Sequence, residues 1–485
     1  MPVGDVPRGG VLATVIRRDV VTEMLRGPML LAAAGIVANA LNLVMNLTLA
    51  RIMDPSGYGA VVVQTNVYMV LAVVGTAVLS AVVHRDLVQT DGTRHERRQW
   101  IRRLRAMTFL AALVAALASL ALCRPVAALL AYPHPIAIAE AASAAALWVG
   151  VCIERGLLQA RRNYPGLARN VIFETVLRVT CIVAAAQTGL GVNGAGLGLL
   201  VGAVVGAAAA RRTVARTPRD VPPLPPLPPA DHPPAAATAS PAPRRRTRDA
   251  LIADTSVALA TLVPLALLQN IDVVVVGWLN PDAVGGYAAI STACKVPVFL
   301  GLAVASYLLA EAARRHREGR PAHRALAMAM AVVVTPGLGL AAVGAVAGRQ
   351  FMSVLFGPDL AVAAPSLWVL AVATTFLSVT LLFATYLLGA GNRKIVWVLA
   401  VCTPLAAASL VLAGGDIMKT AVALLGCQAL TAAAAGALVF RRRGARPAAR
   451  PVPVPGMMPA PDPSRQATRH AAATFGDDAN AGLAR

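Results

Sequence analysis

Residues 28–83 read PMLLAAAGIVANALNLVMNLTLARIMDPSGYGAVVVQTNVYMVLAVVGTAVLSAVV. Two apolar stretches, 28–50 and 58–83, flank a short polar segment that contains Arg51, Asp54, Pro55 and Gly57. About twenty helical residues cross a hydrocarbon core of ~30 Å. Backbone groups in lipid must bond within their own segment, so each stretch reads as a spanning helix and the polar segment as a turn. A membrane barrel would show alternating segments of ~10 residues, and the sequence has none.

The same pattern recurs along the whole chain. Apolar helices are expected at 28–50, 58–83, 106–123, 136–160, 168–187 and 191–210. A second group is expected at 251–279, 286–311, 325–347, 365–389, 395–413 and 417–440. The composition agrees: 57% of residues are hydrophobic and 14% charged, where a soluble chain carries roughly a quarter charged. The expected fold is an all-α integral membrane protein of about twelve transmembrane helices. The first run begins near Pro28, is too long for a signal-peptide core, and reads as a retained helix.

The formal charge of +21 would suggest nucleic-acid binding in a soluble protein. Its distribution argues against that partner. Alternate loops and the two ends hold 37 lysines and arginines, whereas the other loops hold only Arg51, Arg124, Arg349 and Lys419. Basic loops stay in the cytoplasm, so the plasma (inner) membrane with both termini cytoplasmic is the expected placement.

Residues 211–250 interrupt the helices with a proline-rich run at 221–229 and Arg244, Arg245 and Arg246. Such a segment builds no core and reads as an extended linker, open to cytoplasmic partners through its PxxP pattern. The expected organisation is a cytoplasmic segment 1–27, a six-helix bundle 28–210, the linker 211–250, a second bundle 251–440 and a disordered basic tail 441–485. The halves match. Tyr58 and Tyr287, within similar Gly/Tyr/Ala segments, lie 229 residues apart. Leu157–Ala160 and Leu387–Ala390 lie 230 apart. Six helices is an even number, so the copies form a parallel repeat about an axis along the membrane normal.

Charged groups within the bilayer mark candidate sites, because each costs at least ~2.5–3.5 kcal/mol at a helix centre. Glu174 and Arg178 stand at i,i+4 on helix five, spaced for a pair. Lys295 and Asp272 lie at similar depth, ~10–14 Å from one surface at the helical rise, which permits an ion pair. Shifted by 229 and 230 residues, they fall on Asn66 and Asn42. Asn39, Asn42 and Asn46 recur at i, i+3 and i+7, a polar stripe on helix one, with Gln269 and Asn270 at the related level of helix seven. Lining of a transport cavity and polar cross-bonding between helices are both consistent with these residues. Arg51 reads as an interface anchor, and Glu154 and Arg155 read as snorkelling from the end of helix four. The basic segment 84–105, with Trp100, Ile101 and Leu104, is suited to lie on anionic lipid.

No enzyme constellation, phosphate loop or metal-ligand spacing emerges, and no cofactor is expected. The six cysteines all fall in apolar runs and read as small buried side chains.

The segment from Leu49 to Gly59 resembles the first external loop of Wzx-type polysaccharide flippases of the multidrug/oligosaccharidyl-lipid/polysaccharide (MOP) exporter superfamily. Gly285–Ala289, Leu355–Pro358 and Leu387–Asn392 are similar to the same family. The resemblance spans roughly residues 25–440 and implies export of an undecaprenyl-diphosphate-linked oligosaccharide by alternating access. Arg178 and Lys295 would then hold a diphosphate, with the lipid tail left in the bilayer. Two other functions fit less of the chain. A cation-coupled drug antiporter would use Glu174 and Asp272, and a non-transporting scaffold would recruit glycan enzymes through the linker and tail.

Overall fold

The computed structural model describes residues 9–88, 94–217, 243–317 and 322–441. The proline-rich run 221–229 and the basic tail, with the partners expected of them, lie outside these residues. Among the described residues there is no strand. Thirteen helices follow in order: α1 (Gly9–Ile52), α2 (Pro55–Val88), α3 (Arg94–Leu129), α4 (Pro135–Ala160), α5 (Tyr164–Ala185), α6 (Gly191–Arg216), α7 (Pro243–Leu279), α8 (Val284–Cys294), α9 (Val296–Arg317), α10 (His323–Phe356), α11 (Leu367–Gly389), α12 (Ile395–Leu412) and α13 (Ile417–Arg441).

Among the described residues eleven stretches are long and apolar enough to cross a membrane, and one of them holds two of the twelve crossings expected from the sequence. The stretch Tyr164–Arg216 is 53 residues of continuous apolar helix by composition, which would run ~80 Å if straight. It turns back at Gly189 and Gly191, whose φ values of +85° and +52° are easily adopted only by glycine. Conversely, α8 and α9 are two pieces of one crossing. Pro297 has no N–H to bond the carbonyl one turn earlier, and the helix breaks at Lys295. The Lys295 amide instead bonds Thr292 O at 3.3 Å. Several helices outrun their apolar cores: α3 starts at Arg94 rather than 106, within the basic segment.

The repeat read from the sequence is also a repeat of packing. In the first half α1 packs on α5, α2 on α4, and α3 on α4; in the second, α7 packs on α12, α9 on α11, and α10 on α11. The halves meet chiefly where α2 crosses α7 and α8. That crossing has no room for side chains. A Cβ on Gly59 would stand 2.8 Å from the Gly285 nitrogen, and one on Gly285 would collide with the Pro55 carbonyl oxygen. Residues exchanged by a two-fold axis touch each other only near that axis. Pro55 and Gly285 are 230 apart, the repeat offset, so the axis passes through this crossing.

Arg51 is no simple interface anchor. Its guanidinium donates to the carbonyls of Val354 and Leu355 in the last turn of α10, with Nε 3.4 Å from Leu355 O. A cation there also favours the negative end of the helix. Asp54 caps α2, accepting from Gly57 N at 3.0 Å and from the Ser56 hydroxyl. These two bonds, Ser56 first, hold its carboxyl below the usual carboxylate range. The short segments 51–59, 285–289 and 355–358 thus form one clasp between the halves.

Gly285→Leu should force α2 and α8 apart. Overpacking against backbone costs about 1–3 kcal/mol or more, so the melting temperature of purified protein should fall by several degrees while membrane insertion persists. An unchanged melting temperature would show that the crossing is not packed this closely.

Candidate substrate cavity between the halves

Beside the crossing, a cavity of about 180 Å³ opens between α1, α2 and α5 of one half and α7, α8 and α11 of the other. Of the eight residues singled out in the sequence, Asn39, Asn42, Asn46, Asn66, Arg178, Asp272 and Lys295 line it. Glu174 does not, and sits behind Arg178.

Lys295 caps α8 at the break, and its ammonium is held by neutral oxygens. Nζ donates to Asn66 Oδ1 at 2.7 Å and to Asn270 Oδ1 at 3.2 Å. Each asparagine turns its own amide nitrogen back to the helix, Asn66 to Val62 O at 2.7 Å and Asn270 to Ala266 O at 2.8 Å. That internal bond aims the carbonyl oxygen at the lysine. Lys295 and Asn66 are repeat mates, 229 residues apart, so their contact also marks the axis.

The expected Lys295–Asp272 ion pair is not made. Tyr287, Ser291 and Lys295 follow at four-residue spacing on one face of α8 and its cap. Asp272 Oδ2 accepts from the first two, at 3.0 Å from Tyr287 and 3.3 Å from Ser291. The lysine lies a turn further on and finds the amides instead. Asp272 Oδ1 is buried without a donor, and so is Oδ1 of its repeat mate Asn42. Asn46 donates to the Asn42 backbone carbonyl at 2.8 Å.

Arg178 and Glu174 do pair, Nε to Oε1 at 2.8 Å. The other carboxylate oxygen faces Arg155 Nη2 at 3.4 Å, and Arg155 Nε donates to Asn170 at 2.8 Å. Arg155 therefore points inward and is buried, stacked over Trp148 at 4.9 Å, rather than snorkelling. Its position near the end of an apolar run concealed this; the polar partners Asn170 and Glu174, spaced one turn apart, were the available signal. Gly202 and Gly206 leave space for the network, since a Cβ on either would come within 2.8 Å of Arg178 or Glu174. One acid serves two guanidiniums, and Arg178 Nη1 is buried without a partner. Glu154 forms a separate bidentate pair with Arg105 at 2.6 and 2.7 Å.

The hydroxyls of Ser291 and Thr292 on the lining, one turn before Lys295, escaped the sequence reading. So did Glu140, buried away from the cavity beside Gln64 at 3.5 Å. All six cysteines are unbridged. Among the described residues no group of three or more His, Cys, Asp or Glu side chains is placed to hold a metal.

Residues 24–308 match the family described as polysaccharide biosynthesis protein. The chain belongs to that family. No curated protein matches this polysaccharide biosynthesis family member. Its fold is similar to "Lipid II flippase MurJ, inward closed conformation", with TM-score 0.65 at 11% identity, covering 84% of this chain and 86% of that one. It is also similar to an inward-facing MATE-family multidrug resistance transporter of the MOP superfamily, TM-score 0.60 at 14% identity, over 84% and 94% of the chains. A MOP superfamily transporter from Pyrococcus furiosus gives TM-score 0.60 at 13% identity, over 86% and 95%. The polysaccharide biosynthesis family member is thus a multi-pass membrane protein with the fold of MOP superfamily transporters.

Breaking a buried pair costs about 3–5 kcal/mol. Glu174→Gln should therefore leave Arg155 and Arg178 without their shared anion and sharply lower the yield of monodisperse protein in detergent. Wild-type yield and melting temperature from this variant would contradict the network.

Proposed function

We propose that this protein moves a lipid-linked glycan precursor from the cytoplasmic to the outer leaflet of the plasma membrane by alternating access, for cell-surface polysaccharide synthesis. The observation that carries this reading is the cavity between the halves, with two cations facing it. Lys295 is solvated only by amide oxygens, and Arg178 lines the same cavity with its Nη1 buried and unpartnered. A diphosphate offers both of them charge-assisted bonds, and guanidinium geometry suits phosphate oxygens. The asparagines supply donors and acceptors for sugar hydroxyls. The lipid tail stays in the bilayer beside the two halves. Membership in the polysaccharide biosynthesis family supports a glycan substrate.

Basic loops favour the cytoplasmic side, and we take both termini to lie there. In that orientation the clasp of Arg51, Pro55, Gly59 and Gly285 closes the outer end, and substrate enters from the cytoplasmic side.

One observation favours a second reading, a cation-coupled antiporter: the buried Asp272 Oδ1 has no donor and is suited to a proton or Na⁺. Cation-driven efflux of a lipophilic cation from vesicles would support it.

The decisive variants are at Lys295. Lys295→Ala should keep membrane abundance and reduce flipping of lipid-linked oligosaccharide at least tenfold, with Lys295→Arg retaining part of it. Because Asp272 is not its partner, Asp272→Asn with Lys295→Met should remain inactive. Wild-type flipping by Lys295→Ala, or by the double variant, would refute the ligand role.

A further inference from the structure

A second cationic site lies away from the central cavity, at the end of the first half where α3 begins and α4 and α6 finish. A cavity of about 340 Å³ is lined there by Arg98, Arg102, Arg105, Arg161 and Arg211. Its volume is in the range of small-ligand pockets. Arg98, Arg102 and Arg105 project from one face of α3, at four- and three-residue spacing. The floor is apolar: Ile101 and Val214 belong to a buried cluster with Ile153 and Leu158. Trp100 stacks under Arg85 at 4.6 Å and ties this turn of α3 to the end of α2.

The charges in this pocket are not balanced from within. Glu154 takes Arg105, and Arg161 Nη1 donates to Val214 O at 2.6 Å, satisfying a carbonyl in the last turns of α6. Arg98, Arg102 and Arg211 make no hydrogen bond or ion pair with any described residue. A topology signal requires only a number of basic residues in the loop. It does not require them to converge from three helices on one cavity, where they repel each other. Nor does the repeat require it. The positions 229 residues on from Arg98, Arg102 and Arg105 are Ala327, Ala331 and Val334. In the second half, Arg314 and Arg315 are instead folded onto Glu311, at 2.9 and 2.5 Å.

We propose that this pocket is a binding site for a phosphate-bearing anion, either a free phosphate compound or the headgroup of an anionic lipid. The cationic rim holds the phosphate oxygens, and the apolar floor accepts the adjoining carbon. The site is separate from the transport cavity, and it stands whether or not the substrate is a lipid-linked glycan.

The test uses the full chain in nanodiscs, with inorganic pyrophosphate and phosphatidylglycerol as probes. The variants are Arg98→Gln/Arg102→Gln/Arg211→Gln and, for the central cavity, Lys295→Ala. Each lost cation weakens phosphate binding by about fivefold, so the triple variant should bind about a hundredfold more weakly. For a free anion, pyrophosphate should raise the melting temperature of wild type and Lys295→Ala but not of the triple variant. For a lipid, phosphatidylglycerol should be retained by wild type over phosphatidylcholine in native mass spectrometry, and lost by the triple variant. Arg211→Gln alone, at an exposed side chain, gives the same readout with a smaller shift should the triple variant fold poorly. Equal pyrophosphate stabilisation and equal lipid retention in wild type and all pocket variants would overturn the site.

Discussion

An ammonium placed deep in a membrane protein has to be solvated by the protein itself, and at Lys295 that solvation comes from Asn66 and Asn270. The break before Pro297 frees the chain to put the lysine there. The asparagines orient for it by bonding their own helices, one turn back. Neutral amides satisfy the proton donors without cancelling the charge. A carboxylate in the same place would hold the lysine and quench its field. The arrangement thus sets the lysine on the axis of the repeat, bonded to one amide from each half.

The crossing of α2 over α8 complements that site. Pro55, Gly59 and Gly285 bring backbone against backbone, and Arg51 bonds across to α10. Small residues let helices approach and gain dispersion contact where lipid gives no hydrophobic drive. Such a contact is tight but holds few charge-assisted bonds, so little needs to break for it to open. The cavity lies directly beside this crossing.

Much of this was legible in the sequence because membranes simplify the physics. Apolar length gave the crossings, and one constant offset gave the repeat. The cost of burying charge pointed to Arg178, Asp272 and Lys295, and helical spacing with the repeat pointed to Asn39, Asn42, Asn46 and Asn66, all on the cavity lining. What stayed hidden was rotation. Depth placed Lys295 level with Asp272, but which side chains meet depends on the angle at which each helix faces its neighbour. Tyr287 and Ser291 occupy that angle first. Arg155 was misread for a related reason: nearness to a helix end shows that a side chain is able to reach water, not that it does so. Arg51 meets residues 303 and 304 positions away, a contact no local pattern encodes.

The two halves share a packing scheme but not a charge scheme. The first half places Asn42 and Asn66 where the second has Asp272 and Lys295, and it alone carries the Arg155–Glu174–Arg178 network. Its basic end gathers arginines into a pocket, whereas the second half folds Arg314 and Arg315 onto the one carboxylate of Glu311. Packing is under strong constraint, since a side chain at Gly285 or Gly59 has nowhere to go. Polar identity along the cavity is free of that packing constraint, and there the two halves differ. The charge therefore differs between the halves on a shared packing frame. The cations at the axis and on α5 give this cavity a charged side, while the asparagines of α1 give it a neutral polar one.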